Sequence, residues 1–180
     1  MTRFFFFGTL LDLDVLSIVL DRPVGPTDLA PARLQGFARR RVLTDSFPML
    51  VEDPNGHVDG AVFTARDQTD HDRVLFFEDF DYDLEPCRPV LESGEEVEAL
   101  YCGAEPQTAA ADALWSLAEW SKAHKAPFLE ISHIYMACFG KMTAEEAEPV
   151  WQEARRRLDP ASLPSENDQT ESVRQGRLTA

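Results

Sequence analysis

The sequence predicts an α+β domain, and three observations carry that prediction. A length of 180 residues falls within the size of one domain. β-type apolar runs punctuated by turn residues fill the first hundred positions, and beyond Gly103 the apolar spacing lengthens to that of helices. An apolar content of 44%, with 12 Phe, supplies a core whose burial can offset the chain entropy of folding.

Arg3–Phe7 is a continuously aromatic run ended by Gly8, the pattern of a strand buried on both faces. After the turn at Gly8-Thr9-Leu10, Asp12 caps a short helix with Leu13, Leu16 and Leu20 on one side, and Pro23, Gly25 and Pro26 end it. Arg33–Leu43 and Phe47–Val51 are β-like. Asn55-Gly56 then signals a hairpin into Val58–Thr64, giving a meander. Asp67–Glu78 begins with charged starters and continues through Val74, Leu75 and Phe77, so a short helix delivers Glu78 at its C-terminal end. Arg88–Leu91 and Glu96–Cys102 form strands around the turn at Ser93-Gly94.

Leu114, Leu117, Ala118 and Ser121 share a helical face, and Phe128–Phe139 reads as a second apolar helix. Thr143 and Glu146 form a capping box for a third, which Pro149 either kinks or restarts. From Asp159 onward polar residues and proline predict a disordered tail. The expected organisation is a strand-rich domain over 1–104, a helical extension over 105–158 packed on it, and the tail over 159–180. No internal repeat is present.

A net charge of −15 repels phosphodiester backbones and anionic lipid, which argues against nucleic acid and membrane partners. Arg39-Arg40-Arg41 and Arg155-Arg156-Arg157 read as solvated strand and helix faces without a function. Cys87, Cys102 and Cys138 are odd in number, widely spaced and preceded by no secretory signal, which predicts reduced thiols and a cytoplasmic protein. Phe4–Phe7 is far too short to span a bilayer. His57, His71, His124 and His133 show no metal-ligand spacing, and His133 reads as a hydrogen-bonded core or rim residue. Gly140-Lys141-Met142-Thr143 departs from a phosphate loop because Ser or Thr does not follow the lysine directly, and no Gly-x-Ser-x-Gly elbow exists. No metal and no cofactor are expected.

Two features survive: Phe7-Gly8-Thr9-Leu10, and Glu78 within Phe76-Phe77-Glu78-Asp79-Phe80-Asp81-Tyr82. With Gly36-Phe37, Phe47-Pro48-Met49-Leu50 and Val58-Asp59-Gly60-Ala61-Val62-Phe63, they make Arg3–Cys102 resemble the gamma-glutamylcyclotransferase-like family, which includes gamma-glutamylamine cyclotransferases and plant avirulence-induced proteins. The resemblance implies a small mixed β-barrel with peripheral helices over the strand-rich part. It also implies a cyclising cleavage, in which the α-amine of a γ-glutamyl group attacks its own γ-amide carbonyl and releases 5-oxoproline and an amine. Glu78 matches the catalytic glutamate, the Phe7–Leu10 loop matches glutamyl recognition, and the hydroxyl of Tyr82 is a further candidate contact. The implied partner is a small γ-glutamyl molecule.

These roles suit the residue types. The attacking amine is an ammonium near neutral pH and must lose a proton, which a carboxylate accepts and can return to the departing nitrogen. Phe76, Phe77 and Phe80 are expected to reduce hydration around Glu78 and raise its pKa. Backbone N–H groups of the Gly8 loop can grip a carboxylate or polarise the carbonyl, and Gly8 permits close approach. Where the family commonly has Tyr before this loop, Phe7 lacks the hydroxyl. That departure motivates a second expectation: a non-catalytic module binding a small carboxylate on the same fold. The helices, with Trp115, Trp120 and Trp151, can cover the barrel mouth or present a homodimer surface.

Overall fold

In a computed structural model, which describes residues 1–78, 83–104 and 108–162, the chain folds into a curled half-barrel sheet with helices packed around it. The strands are β1 (Arg3–Phe6), β2 (Leu29–Val42), β3 (Pro48–Thr64), β4 (Asp83–Cys87), β5 (Val90–Leu91), β6 (Ala99–Gly103) and β7 (Ala110–Leu114). Their order is β4-β6-β1-β3-β2-β5, with β7 also pairing on β2. The β1–β6 pair is parallel and the other strand pairs are antiparallel, so the sheet is mixed. The helices are α1 (Leu13–Leu20), α2 (Gln68–Glu78), α3 (Leu117–Ala123), α4 (Lys125–Met136) and α5 (Ala144–Leu158). Among the described residues no helix is long and apolar enough to cross a membrane.

The aromatic run explains the position of β1. Side chains alternate along a strand, so Phe4 and Phe6 enter one core while Phe5 enters the other. The larger core adds Val15, Leu16 and Val19 of α1, Phe63, Val74, and the α3–α5 residues Trp120, Phe128, Tyr135 and Ala147. The second collects Ala32, Leu34, Val62, Ala99 and Tyr101. Asp12 caps α1 as expected, accepting from the N–H groups of Asp14 and Val15 at 3.0 and 3.4 Å.

α2 is anchored at both ends. Near its start the buried Asp70 accepts from Arg22 Nη2 at 2.9 Å and from the Arg66 N–H at 3.1 Å. At its last turn the Tyr135 hydroxyl donates to the Phe76 carbonyl at 2.9 Å. Glu78, the final residue of α2, is therefore held by contacts on two sides of the helix.

Several local expectations are corrected. Asn55-Gly56 does not reverse the chain: β3 runs through it, and the reversal lies at 43–47, where Val42 N–H bonds the Phe47 carbonyl at 3.0 Å. The pairing jumps from Gln35–His57 to Phe37–Glu52, so the turn-forming residues are absorbed in a bulge opposite Gly36, whose φ is +85°. β4 and β7 were not foreseen, and Leu114 belongs to β7 rather than to a helical face. Edge pairing on β6 and β2 overrides their weak strand propensity. His133 is exposed, outside the core.

The capping box forms as read, with Glu146 N–H to Thr143 Oγ1 at 3.2 Å and Thr143 N–H to Glu146 Oε2 at 2.9 Å. α5 passes through Pro149 without restarting. Asp159 is buried 2.9 Å from His124 Nδ1, so the chain stays packed at the start of the expected tail; positions 163–180 lie outside the described residues.

Gly60 shows how tightly β3 covers β1. A Cβ there would overlap the Phe6 carbonyl oxygen and come within 2.7 Å of the Phe5 ring. Gly60→Ala is expected to destabilise the fold by about 1–3 kcal/mol, because backbone must move to admit the methyl group. A urea midpoint unchanged from wild type would contradict this packing.

Candidate functional site

The end of β1, the end of α2, the β2–β3 turn and one face of α5 surround a cavity of about 300 Å³. Phe7, Gly8, Thr9, Leu10 and Glu78 all line it, so the two features separated by some seventy residues of sequence meet around one space. Tyr82 lies outside the described residues.

β1 feeds directly into the first wall. Its strand geometry ends at Phe6, and Thr9–Leu11 form a short 3₁₀ turn in which the Leu11 N–H bonds the Gly8 carbonyl at 3.1 Å. The N–H groups of Thr9 and Leu10 open that turn, where the helical pattern itself supplies no acceptor. Gly8 has a negative φ of −121°, so its value is clearance: a Cβ would sit 3.1 Å from Pro48 Cγ. Leu10 is also deeply buried in the larger core, which fixes the loop from below.

Arg39 holds the entry to this loop. Its Nη1 donates to the Phe7 carbonyl at 2.8 Å and its guanidinium lies 5.2 Å from the centre of the Trp115 ring. Burial lowers its pKa from the usual arginine value, with Asp59 opposing. The expectation that all three arginines at 39–41 form a solvated face is thus corrected. The signal was present in sequence, because Arg39 lies two residues beyond Phe37 and so on the same strand face.

Glu78 is reached from solvent through the cavity. Burial pushes its pKa up to about 7, while a hydrogen bond with the Cys102 thiol works in the opposite direction. Phe77 shares the cavity wall with Glu78, whereas Phe76 turns away to stack on Tyr135, ring centres 4.9 Å apart. Phe80 lies outside the described residues. Cys102 is itself raised far above the ordinary thiol range by burial and by Glu78, so it is a poor source of thiolate.

Two cavity residues escaped the sequence reading. Arg155 Nη2 donates to Asp45 Oδ1 at 2.8 Å, and both side chains are largely buried. Burial raises the Asp45 pKa to about 6, with Arg155 as the main opposing influence. Asp45 Oδ1 also accepts from the Ser46 N–H at 2.9 Å, while Trp115 Nε1 donates to the Ser46 carbonyl at 2.8 Å. The pair therefore locks α5 to the β2–β3 turn. Within Arg155-Arg156-Arg157 only Arg155 is buried, and it falls on the face of Ala147 and Trp151 at four-residue steps, a spacing legible in the sequence.

Among the described residues, Tyr101 and Tyr135 are the tyrosines that line this cavity. The Tyr101 ring meets Phe7 edge-on at 6.3 Å and its hydroxyl donates to Glu85 Oε2 at 2.7 Å.

Comparison with known proteins identifies the family and the fold. The family model for gamma-glutamyl cyclotransferase, AIG2-like, matches residues 4–122. The AIG2-like protein A of Arabidopsis thaliana is 27% identical over 136 residues, covering 74% of this chain and 81% of that protein. Among solved structures, a protein of Arabidopsis thaliana determined in solution aligns with TM-score 0.52 at 25% identity, over 77% of this chain and 93% of the other. A gamma-glutamyl cyclotransferase aligns with TM-score 0.50 at 13% identity, over 96% and 98%, a likeness of fold.

Arg155→Ala is expected to destabilise the protein by about 3–5 kcal/mol, because it strands a buried carboxylate. The double variant Asp45→Asn with Arg155→Met should recover part of that loss in urea titrations. Additive losses would show that the two residues do not act as a pair.

Proposed function

Because the chain belongs to the gamma-glutamyl cyclotransferase, AIG2-like family, we propose that it is a cyclotransferase cleaving a γ-glutamyl amine or amide, with Glu78 as the proton-transfer group. The observation that supports this most is the meeting of Glu78, with a pKa near 7, and the Gly8–Leu10 turn around one cavity.

In this reading the Glu78 carboxylate accepts a proton from the substrate α-ammonium, and the freed amine attacks the γ-carbonyl carbon. The N–H groups of Thr9 and Leu10 are the candidate donors to the oxyanion that forms. The amide C–N bond then breaks as Glu78 returns its proton to the leaving nitrogen, the ring nitrogen gives its second proton to the released amine, and 5-oxoproline and an ammonium result. Glu78 ends as the carboxylate with which it began. Attack within one molecule closes a five-membered ring, so the protein's main task is to hold the substrate folded.

A pKa near 7 serves both halves of this cycle, because a group poised at ambient pH is neither too weak a base nor too weak an acid. The second reading, a non-catalytic site for a small carboxylate, is motivated by Phe7 and by the added helices. It predicts that a γ-glutamyl compound binds without being consumed.

Two outcomes are expected. Glu78→Gln lowers kcat for release of 5-oxoproline by about 100-fold or more, the range of general acid–base catalysis. Full activity in that variant would remove Glu78 from the mechanism, and a panel of γ-glutamyl compounds bound but never turned over would favour the second reading. For the wild type, kcat/KM rises with pH through about 7 as Glu78 ionises, then falls above the pKa of the substrate ammonium.

The same residue gives a stability test. Its folded pKa is raised from 4.5 to about 7, so the stability associated with the neutral acid is complete below pH 4.5 and lost as pH rises through 7. Glu78→Gln is therefore expected to melt a few degrees above wild type at pH 8 and to lose that advantage at pH 4.5. Equal melting temperatures at pH 8 would mean that the carboxyl is well solvated.

A further inference from the structure

The cavity wall contributed by α5 carries a charge that the proposed chemistry leaves unused. Among the described residues lining the cavity, the acidic side chains are Asp45, Glu78 and Glu148, and the basic one is Arg155. Arg155 is engaged with Asp45 at 2.8 Å, and Glu78 is assigned to proton transfer. Glu148 is half-buried and has no ion pair among the described residues.

Beside Glu148 α5 adds Trp151, Gln152 and Arg155 to the cavity lining, and α4 adds Phe128 and Tyr135. Trp151 packs edge-on against Tyr135 and Phe128, with ring centres 5.3 and 5.6 Å apart, and all three rings border the cavity. An apolar aromatic surface beside a carboxylate suits a methylene chain that ends in an ammonium group. An anionic end would instead meet like charge at Glu148 and the field of a chain with net charge −15. α5 lies outside the residues 4–122 matched by the family model.

We propose that Glu148 selects a leaving amine bearing a second, positively charged nitrogen, so that the preferred substrate is a mono-γ-glutamyl conjugate of an α,ω-diamine. The proposal rests on the cyclotransferase reading for its γ-glutamyl half. In the bound substrate the glutamyl end meets Glu78 and the Gly8 turn, the methylenes follow Trp151, and the distal ammonium pairs with Glu148. Cleavage expels the proximal nitrogen as a neutral amine after protonation by Glu78, and the distal ammonium takes no part in the bond changes.

The test uses the full chain and two matched compounds, γ-glutamyl pentylamine and mono-γ-glutamyl 1,4-diaminobutane, which differ in a terminal methyl or ammonium group. Both kcat/KM for 5-oxoproline release and Kd by calorimetry are measured. The wild type is expected to favour the diamine conjugate about three- to tenfold, the scale of a single partly exposed charge pair. That ratio should shrink with added salt, approach one in Glu148→Gln, and invert in Glu148→Lys. Because the ratio is taken within each variant, partial loss of folded protein cancels. A wild-type Kd ratio at or below one, a ratio that survives Glu148→Lys, or failure of both compounds to bind overturns the proposal. If both bind and neither is cleaved, the cyclotransferase reading fails, while the Kd ratio still decides the role of Glu148.

Discussion

The burial of β1 on both faces is the constraint from which the rest of the architecture follows. A strand carrying Phe4, Phe5 and Phe6 in succession cannot lie at an edge or over solvent, so one core must form above it and another below. Pairing with β3 on one side and β6 on the other makes it central and supplies the lower core. Helices from both halves of the sequence supply the upper core, which is why α1 and α4 meet above the same strand. The strand must also end somewhere, and at Phe7 it ends against the cavity. Gly8 therefore reaches its position by being the first residue beyond the most strongly buried segment of the chain.

Placing a carboxyl opposite that loop is unfavourable, and the structure meets the cost through anchoring. Among the described residues no cation is paired with Glu78; a thiol from Cys102 is the partner that opposes the effect of burial. A helix end carrying such a group would relax outward unless held. The Tyr135 hydroxyl on the Phe76 carbonyl and the Arg22–Asp70 pair at the other end provide that hold. Local stability is thus invested in keeping one acid partly desolvated, the kind of conflict between stability and chemistry that functional sites carry.

How much of this was legible in the sequence depended on whether the signal was local. The aromatic run, the Asp12 cap, the Thr143–Glu146 box and the helix ending at Glu78 are each set by residues within a turn or two of one another, and each formed where it was read. Asn55-Gly56 was misread because its local preference is satisfied equally by a bulge, and only the partner strand β2 decides between bulge and hairpin. β4 and β7 exist because β6 and β2 offer them an open edge, which no property of their own residues announces. The convergence of the Gly8 turn with Glu78 came from a family resemblance, since nothing in either segment names the other. Arg39 and Arg155 were passed over because a run of three arginines looks solvated, although helical phase singles out Arg155 and strand phase puts Arg39 on the face of Phe37.

The two buried acids of the cavity show how neighbours divide the work. Asp45 and Glu78 border the same space, and burial raises both, to about 6 and about 7 from ordinary values of 3.8 and 4.5. What differs is their partners. Asp45 has the Arg155 guanidinium at 2.8 Å and the Ser46 N–H at 2.9 Å, partners that favour its ionised form and tie it into the junction of turn and helix. A proton placed on it would cost that junction its charge pairing, so Asp45 is suited to hold structure. Among the described residues Glu78 has no ion pair to lose when it gains or gives up a proton, and near pH 7 the two forms are close in energy. Environments that separate two carboxyl groups in this way allow one to stay charged and fixed while the other exchanges protons with a ligand.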